Sequence, residues 1–459
     1  MAMNKIAGER PGWAELPRDL LESILRRLPV PDRLRFPAVC AAWQSAAAAA
    51  RVQGGVLSPW LMLPFNPTVR RRTRRGDGED RFMEARFLSL TDGRAYEIRQ
   101  PAPAVSGRLC VGSSDGWLVT ADAASELHLL NPVTGAQVSL PSVATLPFVN
   151  ATRDADGRVV SYGLRCCFAD DDGDEVLIPP ETFAPDRLRY ELYEKAILVS
   201  APRRVTTPGS WGGHAVLLIC QPLFRLAVAR DGDTRWTLLD TPPRCWVDAV
   251  RASATPSADM ARRQVVYTMD AAGRVEVWDM DATTTPTRHG EIAPPCSCCS
   301  GHACAMSAAC SRYLVELSPG HLLQVHRLRD AAHARCKWEP RPERVEYTTA
   351  KVELFEWKAG GRGRWARVDG EHAGRVLGGR ALFLGKSASL CVPADGALRG
   401  NCVYFTDDGP WSHERCHEVA PDVGVFDLAD GSYRPPRGAA RDLLWKWPPP
   451  VWVFPSLAD

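Results

Sequence analysis

Val265-Val266-Tyr267-Thr268-Met269-Asp270-Ala271-Ala272-Gly273-Arg274-Val275-Glu276-Val277-Trp278 is the stretch on which the fold turns. Two runs rich in β-branched and aromatic residues flank a short turn carrying Gly273. That is the pattern of an antiparallel hairpin. The same pattern recurs on both sides. Upstream, Gly116-Trp117-Leu118-Val119-Thr120 precedes Leu127-His128-Leu129-Leu130, and Leu226-Ala227-Val228-Ala229 turns through Asp231-Gly232 into Trp236-Thr237-Leu238-Leu239. Downstream, Tyr313 to Glu316 turns through Pro319-Gly320 into Leu322 to His326. Lys351 to Trp357 turns through Gly360-Gly361 into Trp365 to Val368, and Cys402 to Phe405 is followed by Gly424 to Leu428. Hairpins repeated along the chain from about Leu57 predict a β-propeller of six to eight blades, at roughly 45 to 60 residues each. The alternative is a pair of β-sandwiches, but no helical pattern or clear linker divides the region. Trp236, Trp278 and Trp365 are expected to pack between blades.

Both ends of this region carry short apolar runs stopped by proline, Trp60-Leu61-Met62-Leu63-Pro64 and Val451-Trp452-Val453-Phe454-Pro455. An unclosed ring leaves two bare sheet edges. Val451 to Phe454 is therefore expected to join the blade of Trp60. Pro448-Pro449-Pro450 forms an extended spacer that carries the chain across.

The first 50 residues obey a different period. From Glu15 to Ala50 there is no glycine, and Leu20, Leu21, Ile24, Leu25 and Leu28 recur at helical spacing. Pro17 fits the first helical position and Pro29 ends the run. A second helical piece follows Pro31 and Asp32. A third, with Pro37 in its first turn, carries Val39, Cys40 and Trp43. Helices this short are marginal alone in water. They need one another, and a partner, to bury the stripe.

Composition narrows the class. The chain has 459 residues, 45% hydrophobic and 24% charged, with a net charge of +2. That is globular composition, without a field that would steer the chain to nucleic acid or anionic lipid. No run of about 18 apolar residues occurs, and Met1 to Trp13 lacks a secretory h-region. The 15 scattered cysteines then read as intracellular thiols, and the expected location is cytoplasmic, nuclear or both.

Several motifs invite chemistry. His413-Glu414-Arg415-Cys416-His417 has the H-E-x-x-H spacing of a zinc protease, which needs both histidines on one helix face. Here it follows Asp408-Gly409-Pro410 and precedes Pro421, so it reads as a solvated loop. Gly112-Ser113-Ser114-Asp115-Gly116 matches G-x-S-x-G, but a strand follows it where a nucleophile elbow needs a helix. Cys296, Cys298, Cys299, Cys304 and Cys310, with His302, supply half of a zinc-ribbon spacing and read as an inter-blade loop. Arg70-Arg71-Arg72-Thr73-Arg74-Arg75 is a basic block partly neutralised by Asp77, Glu79 and Asp80. Asp170 to Glu175 lacks calcium-loop spacing. No catalytic residue, cofactor or metal is expected.

The order Leu16-Pro17, Leu20 to Ile24, Leu28-Pro29, Leu34, Val39-Cys40 and Trp43 resembles the F-box. The rest resembles the propeller-type domain of plant F-box proteins of the KIB-like group. Ser58 to Pro64, Gly112 to Leu118, Asn401 to Asp408 and Gly424 to Leu428 carry that likeness. The resemblance implies a mainly β protein with a small α-helical N-terminal domain. An F-box three-helix unit at residues 13–52 precedes a β-propeller at 56–459. It further implies a non-catalytic substrate-recognition subunit of a ubiquitin ligase. The F-box would dock on a Skp-family adaptor, and through it on a cullin–RING ligase, while the propeller presents an unidentified protein substrate. Leu16, Pro17, Leu20, Ile24, Leu28, Pro29, Leu34, Val39, Cys40 and Trp43 are the implied adaptor-binding residues. The alternatives are a propeller scaffold without a ligase role and a zinc-dependent hydrolase using His413 and His417. No nucleic-acid or membrane partner is implied.

Overall fold

In the computed structural model, the described residues run from 12 to 455. Excepted are 29–31, 34–35, 53–58, 65–83, 100–104, 166, 170–174, 178–179, 206–210, 222–224, 243, 254–263, 282–284, 296–309, 335–343, 359–362, 395–397, 409–420, 440–442 and 444–446. Strands dominate, and no described helix is long and apolar enough to cross a membrane.

Six sheets of four or five strands form the large domain. Blade 1 holds Trp60–Leu63, Glu84–Ser89 and Ala95–Arg99, with Val451–Val453 added from the other end of the chain. Blade 2 spans Leu109–Ser114 to Gln137–Ser139, and blade 3 spans Tyr193–Ser200 to Thr237–Leu238. Blade 4 runs from Trp246–Arg251 to Thr287–Ala293, blade 5 from Cys310–Ser318 to Arg364–Val368, and blade 6 from Arg380–Leu384 to Tyr433–Arg434.

The strands alternate their side chains between two faces, so each blade contributes to two cores. Leu118 and Leu130 of blade 2 pack with Trp60 and Phe87 of blade 1. Val111 and Val119 pack with Ala196 and Leu218 of blade 3. Leu217 and Val228 meet Trp246 and Trp278 of blade 4. Val277 and Met269 meet Leu314 and Leu322 of blade 5. Val315 and Val325 meet Leu382 and Phe405 of blade 6. Phe383 and Tyr404 return to Leu61 and Trp452 of blade 1. Six inter-blade cores in this cyclic order make a closed six-bladed ring.

The expected closure is present. Trp60 pairs with Val453, Leu61 with Trp452 and Met62 with Val451, all antiparallel. Trp452 and Val453 are fully buried. Trp447 adds a second tie by donating its Nε1–H to Ser106 O at 2.6 Å.

Two glycines carry specific geometry. Asp115 and Gly116 both have positive φ, as a two-residue hairpin turn requires. A Cβ on Gly112 would lie 2.1 Å from Ala196 O, so glycine lets blade 2 approach blade 3. The G-x-S-x-G stretch is thus a strand, a turn and a strand.

The structure differs from the sequence reading in three places. Between blades 2 and 3, Val149–Arg153, Val159–Leu164 and Glu181–Phe183 form a three-stranded sheet. With helix Pro185–Leu192 it packs against the blade 2–3 core through Tyr162, Leu164, Leu188 and Leu192 instead of adding a blade. In blade 6, Arg380–Leu384 pairs in parallel with Cys402–Phe405, which a run of simple hairpins does not contain. Trp236 is buried but sits just before its strand, held by Nε1–H donation to Pro141 O at 2.8 Å.

Candidate functional site

The N-terminal unit is built on helix Arg18–Arg27. Pro17 stands one position earlier than expected, at the N-cap with extended backbone. Its ring cannot donate, and none of the first four N–H groups needs it to. Glu22 pairs with Arg18 at 3.0 Å and faces Arg26 at 4.0 Å. Arg33 caps the other end, donating from Nε to Leu28 O at 2.7 Å and from its guanidinium to Arg26 O at 2.6 Å. A cation there also suits the negative end of the helix dipole. Phe36–Ala38 is a short 3-10 turn, and helix Ala41–Val52 follows. Pro37 therefore lies in that turn, outside the first turn of the third helix, contrary to expectation.

The apolar stripe is divided. Leu21 and Leu25 point inward and form a small core with Phe36, Ala46 and Ala47. So the short helices do bury part of their own stripe. Leu16, Ile24, Leu28 and Trp43 are partly buried against that core. Trp43 stacks on Phe36 at 4.3 Å and donates its indole N–H to Trp13 O at 2.9 Å. Cys40 is half-buried and Pro17 exposed. Leu20 is 49% exposed, Val39 57% and Trp13 73%. Pro29 and Leu34 lie outside the described residues. Only seven large apolar side chains are exposed among the described residues, and three of them sit in this small unit. Exposed apolar groups concentrated in one small unit are candidates for an interaction face. Trp13 is the one that the sequence pattern does not single out, because it precedes the periodic run.

At the other functional end, the ring axis is filled. Lys195 Nζ of blade 3 lies 2.7 Å from Asp248 Oδ1 of blade 4, with both side chains buried. Asp248 Oδ2 accepts from Leu314 N and from Ser389 Oγ, each at 2.9 Å. Lys195 also donates to Gly385 O at 2.9 Å. Residues 385–389 of blade 6 thus reach blades 3 and 4, and Ala388 N donates to Ser113 O of blade 2 at 2.8 Å. Among the described residues, these bonds cross-brace the axis.

A second buried network braces blades 5 and 6. Arg327 donates to Asp422 Oδ2 at 2.6 Å and Thr349 Oγ1 at 2.7 Å, with its guanidinium 4.0 Å from the Phe405 ring centre. Arg329 donates to Asp408 Oδ1 at 2.6 Å. Burial alone would push the Asp408 carboxyl up, but Arg329 and Arg327 outweigh it and hold it at about 2. These aspartates stand on either side of the segment containing His413 and His417, which lies outside the described residues. So do Cys296 to Cys304 and the Arg70 to Arg75 block. Among the described residues, no three His, Cys, Asp or Glu side chains converge as a metal site. Burial pushes the Cys110 thiol to about 12 and the Cys402 thiol to about 11, which makes both inert. Ser114 Oγ donates to Asp115 Oδ2 at 3.0 Å and has no histidine partner among its hydrogen bonds.

Comparisons with known proteins agree with this geometry. A family model described as the KIB1-4 beta-propeller matches residues 87–427, well over half of the chain. One described as the F-box domain matches residues 13–50. An F-box/kelch-repeat protein of Arabidopsis thaliana is 30% identical over 142 residues, covering 31% of this chain and 36% of its own. An F-box protein of the same plant is 32% identical over 142 residues, covering 28% and 31%. The F-box protein KIB2, also from Arabidopsis thaliana, is 27% identical over 123 residues, covering 27% and 26%. These alignments span about a third or less of the relatives' lengths. A streptogramin B lyase structure aligns over 70% of this chain and 91% of its own at 12% identity, with a TM-score of 0.24. That likeness is too slight to bear on architecture.

Proposed function

This chain belongs to the KIB1-4 β-propeller family and carries an F-box, and from that premise we propose that it is the substrate-recognition subunit of a Skp–cullin–F-box ubiquitin ligase. The N-terminal unit docks on a Skp-family adaptor, and the propeller holds a protein target. The chain performs no chemistry itself. The adaptor brings it to the cullin and RING subunits that carry out transfer.

The observation that carries this reading is the gathering of Trp13, Leu20 and Val39, all exposed, on a unit whose own core is five residues. Such a unit gains most from a partner that covers those side chains. The braced axis supports a target bound on the blade loops or rims. A closed ring also suits presentation, because a rigid frame keeps target lysines in one place relative to the loaded conjugating enzyme.

Leu20 and Leu21 provide the test, since they are neighbours with opposite exposure. Leu20→Asp should leave the helical unit folded and weaken adaptor binding by over about 2 kcal/mol, some 30-fold. Leu21→Asp should instead unfold the unit. Binding is measured with purified adaptor, and folding by circular dichroism. A Leu20→Asp, Ile24→Asp protein that still captures the adaptor at the parental yield would overturn the proposal.

A further inference from the structure

The third strand of blade 5 has an edge that its own blade leaves bare. Arg344–Lys358 pairs on one side with His321–Ala334, all the way from Glu356 to Arg344. On its other side Arg364–Val368 reaches only from Lys358 to Leu354. The chain then turns away at Asp369 into helix Gly370–Leu377. Among the described residues, no strand lies beside the outer edge of Lys351, Val352 and Glu353. The backbone groups of such an edge are a template for another chain.

That edge borders a cavity of about 410 Å³ between the strand and the helix, within the size range of ligand sites. Two sets of side chains line it. Val352, Leu354, Val368 and Ala373 are buried, and with Leu428 they belong to the core between blades 5 and 6. Lys351, Glu353 and Arg367 stand on the other face of the sheet, as strand alternation requires. Glu353 Oε1 meets both cations, Lys351 Nζ at 2.6 Å and the Arg367 guanidinium at 2.7 Å. Asp369, the other carboxylate of the lining, is engaged at the helix start, where its Oδ1 accepts from His372 N at 2.7 Å. Two cations therefore share one carboxylate. The Lys351 side chain is 54% exposed, and exposed pairs of this kind open readily. Arg367 still holds Glu353 when Lys351 turns away.

We propose that this groove takes an extended segment of the protein target, added as a strand beside Lys351 to Glu353, with an apolar side chain opposite Val352 and an acidic one opposite Lys351. Both existing neighbours of this strand run antiparallel to it, and a strand continuing the line of Arg364–Val368 does the same. Residues opposed across such a pair share a face. The apolar side chain thus enters beside Val352, Val368 and Ala373, and the carboxylate meets Lys351. An acid opposite Glu353 is repelled. Read from its N-terminus, the segment therefore carries the apolar residue first and the acidic residue next. Main-chain bonds supply affinity in this mode of docking, and alternate side chains supply specificity. In naming the occupant as the target, the proposal rests on the ligase reading above.

The experiment uses the full chain and a fluorescein-labelled octapeptide of serine and threonine with a central leucine–glutamate pair. Followed by fluorescence anisotropy, it should bind with a Kd below about 1 mM. The same peptide with glutamate before leucine, or with lysine in place of glutamate, should bind at least fivefold more weakly. Lys351→Glu should weaken the leucine–glutamate peptide at least fivefold and reverse the preference in favour of the leucine–lysine peptide. Gly370→Phe fills the groove without displacing its walls, because a Cβ there meets only Leu428 O, at 3.7 Å. It should abolish binding at an unchanged melting temperature. At saturating peptide, amide exchange within residues 351–353 should slow at least fivefold. Absence of binding, indifference to residue order or charge, binding that survives Gly370→Phe, or protection elsewhere on the chain would overturn the inference. So would a dimer in sedimentation that Gly370→Phe dissociates, which would give the groove to a second copy of this chain. Adaptor capture is measured in parallel. Capture without peptide binding overturns the groove and leaves the ligase reading intact. Peptide binding without capture defeats the ligase reading, and the naming of the occupant as the ligase target falls with it.

Discussion

Removing the Asp248 carboxylate should loosen the whole ring, because one side chain joins four blades. Its Oδ1 faces Lys195 Nζ of blade 3 at 2.7 Å and accepts from Ala249 N at 2.8 Å. Its Oδ2 accepts from Leu314 N of blade 5 and Ser389 Oγ of blade 6. Asp248→Ala leaves the Lys195 ammonium buried, with Gly385 O as its remaining partner. Breaking a buried pair by removing one member costs about 3–5 kcal/mol. The orphaned Leu314 N–H and Ser389 hydroxyl add about 1–3 kcal/mol each, and these costs overlap. The expected loss is at least about 4 kcal/mol, which is large beside a total stability of about 5–15 kcal/mol. Asp248→Asn keeps the shape and an acceptor but leaves the ammonium uncompensated, so it should fall between wild type and Asp248→Ala. Adding Lys195→Met to Asp248→Asn removes that charge and should recover about 2 kcal/mol or more. Urea unfolding of wild type, Asp248→Asn, Lys195→Met and the double variant, followed by tryptophan fluorescence, gives the four free energies of the cycle. If Asp248→Ala costs under about 1 kcal/mol, or the pair is additive within about 0.5 kcal/mol, the axis is packing filler and the bracing argument fails.

Two further outcomes test the ring. Trp452 is fully buried and meets Phe383 edge-on at 5.1 Å, so Trp452→Ala should cost about 3–5 kcal/mol. Truncation after Lys446 should make the protein aggregate or melt many degrees lower, and an unchanged melting temperature would refute closure by the last strand. The buried His326, pushed down to about 3 by burial and by Arg312, stays neutral in the folded protein while the unfolded chain protonates near 6.5. The unfolded state therefore binds more protons between about pH 6.5 and 3, and stability present above 6.5 is lost as the pH falls. By pH 5 this amounts to about 2 kcal/mol, and His326→Gln should lose that much less between pH 7 and 5 in urea titrations. Equal losses would sink this assignment.

The legible parts of the fold were those with a local signature. Val265–Asp270 and Val275–Asp279 pair as their β-branched runs and Gly273 turn foretell. Val451 to Val453 was legible because a short apolar run bounded by prolines at the chain's far end needs an edge to pair with. The parallel pairing in blade 6 was not, since Leu390–Pro393 pairs on one side of Arg380–Leu384 and the chain crosses back to set Cys402–Phe405 on the other; nor does anything local in Lys386 or Ser389 say that Glu194 and Asp248 await them. The insert before blade 3 was illegible for a related reason. Val159 to Leu164 has the pattern of a blade strand, and only the packing of Tyr162 and Leu188 places it on the ring's flank. In the N-terminal unit, helical spacing shows the stripe but does not divide it. Leu20 and Leu21 differ by one position, and their opposite exposure follows from where Phe36 and Ala46 fold back.

The two parts of the chain solve opposite problems. The ring has six cores, a strand from its far end closing the last edge, and charged braces at the axis and between blades 5 and 6. Its six cores form without a partner. The helical unit has one core of five residues and helices of 10 and 12 residues, lengths at which isolated helices are marginal. Covering Trp13, Leu20 and Val39 would add stability to the unit that needs it and none to the ring. On the proposed reading, adaptor binding would stabilise the helical unit and leave the ring as it was. On that reading, the ring's surface stays the same whether or not a ligase is attached.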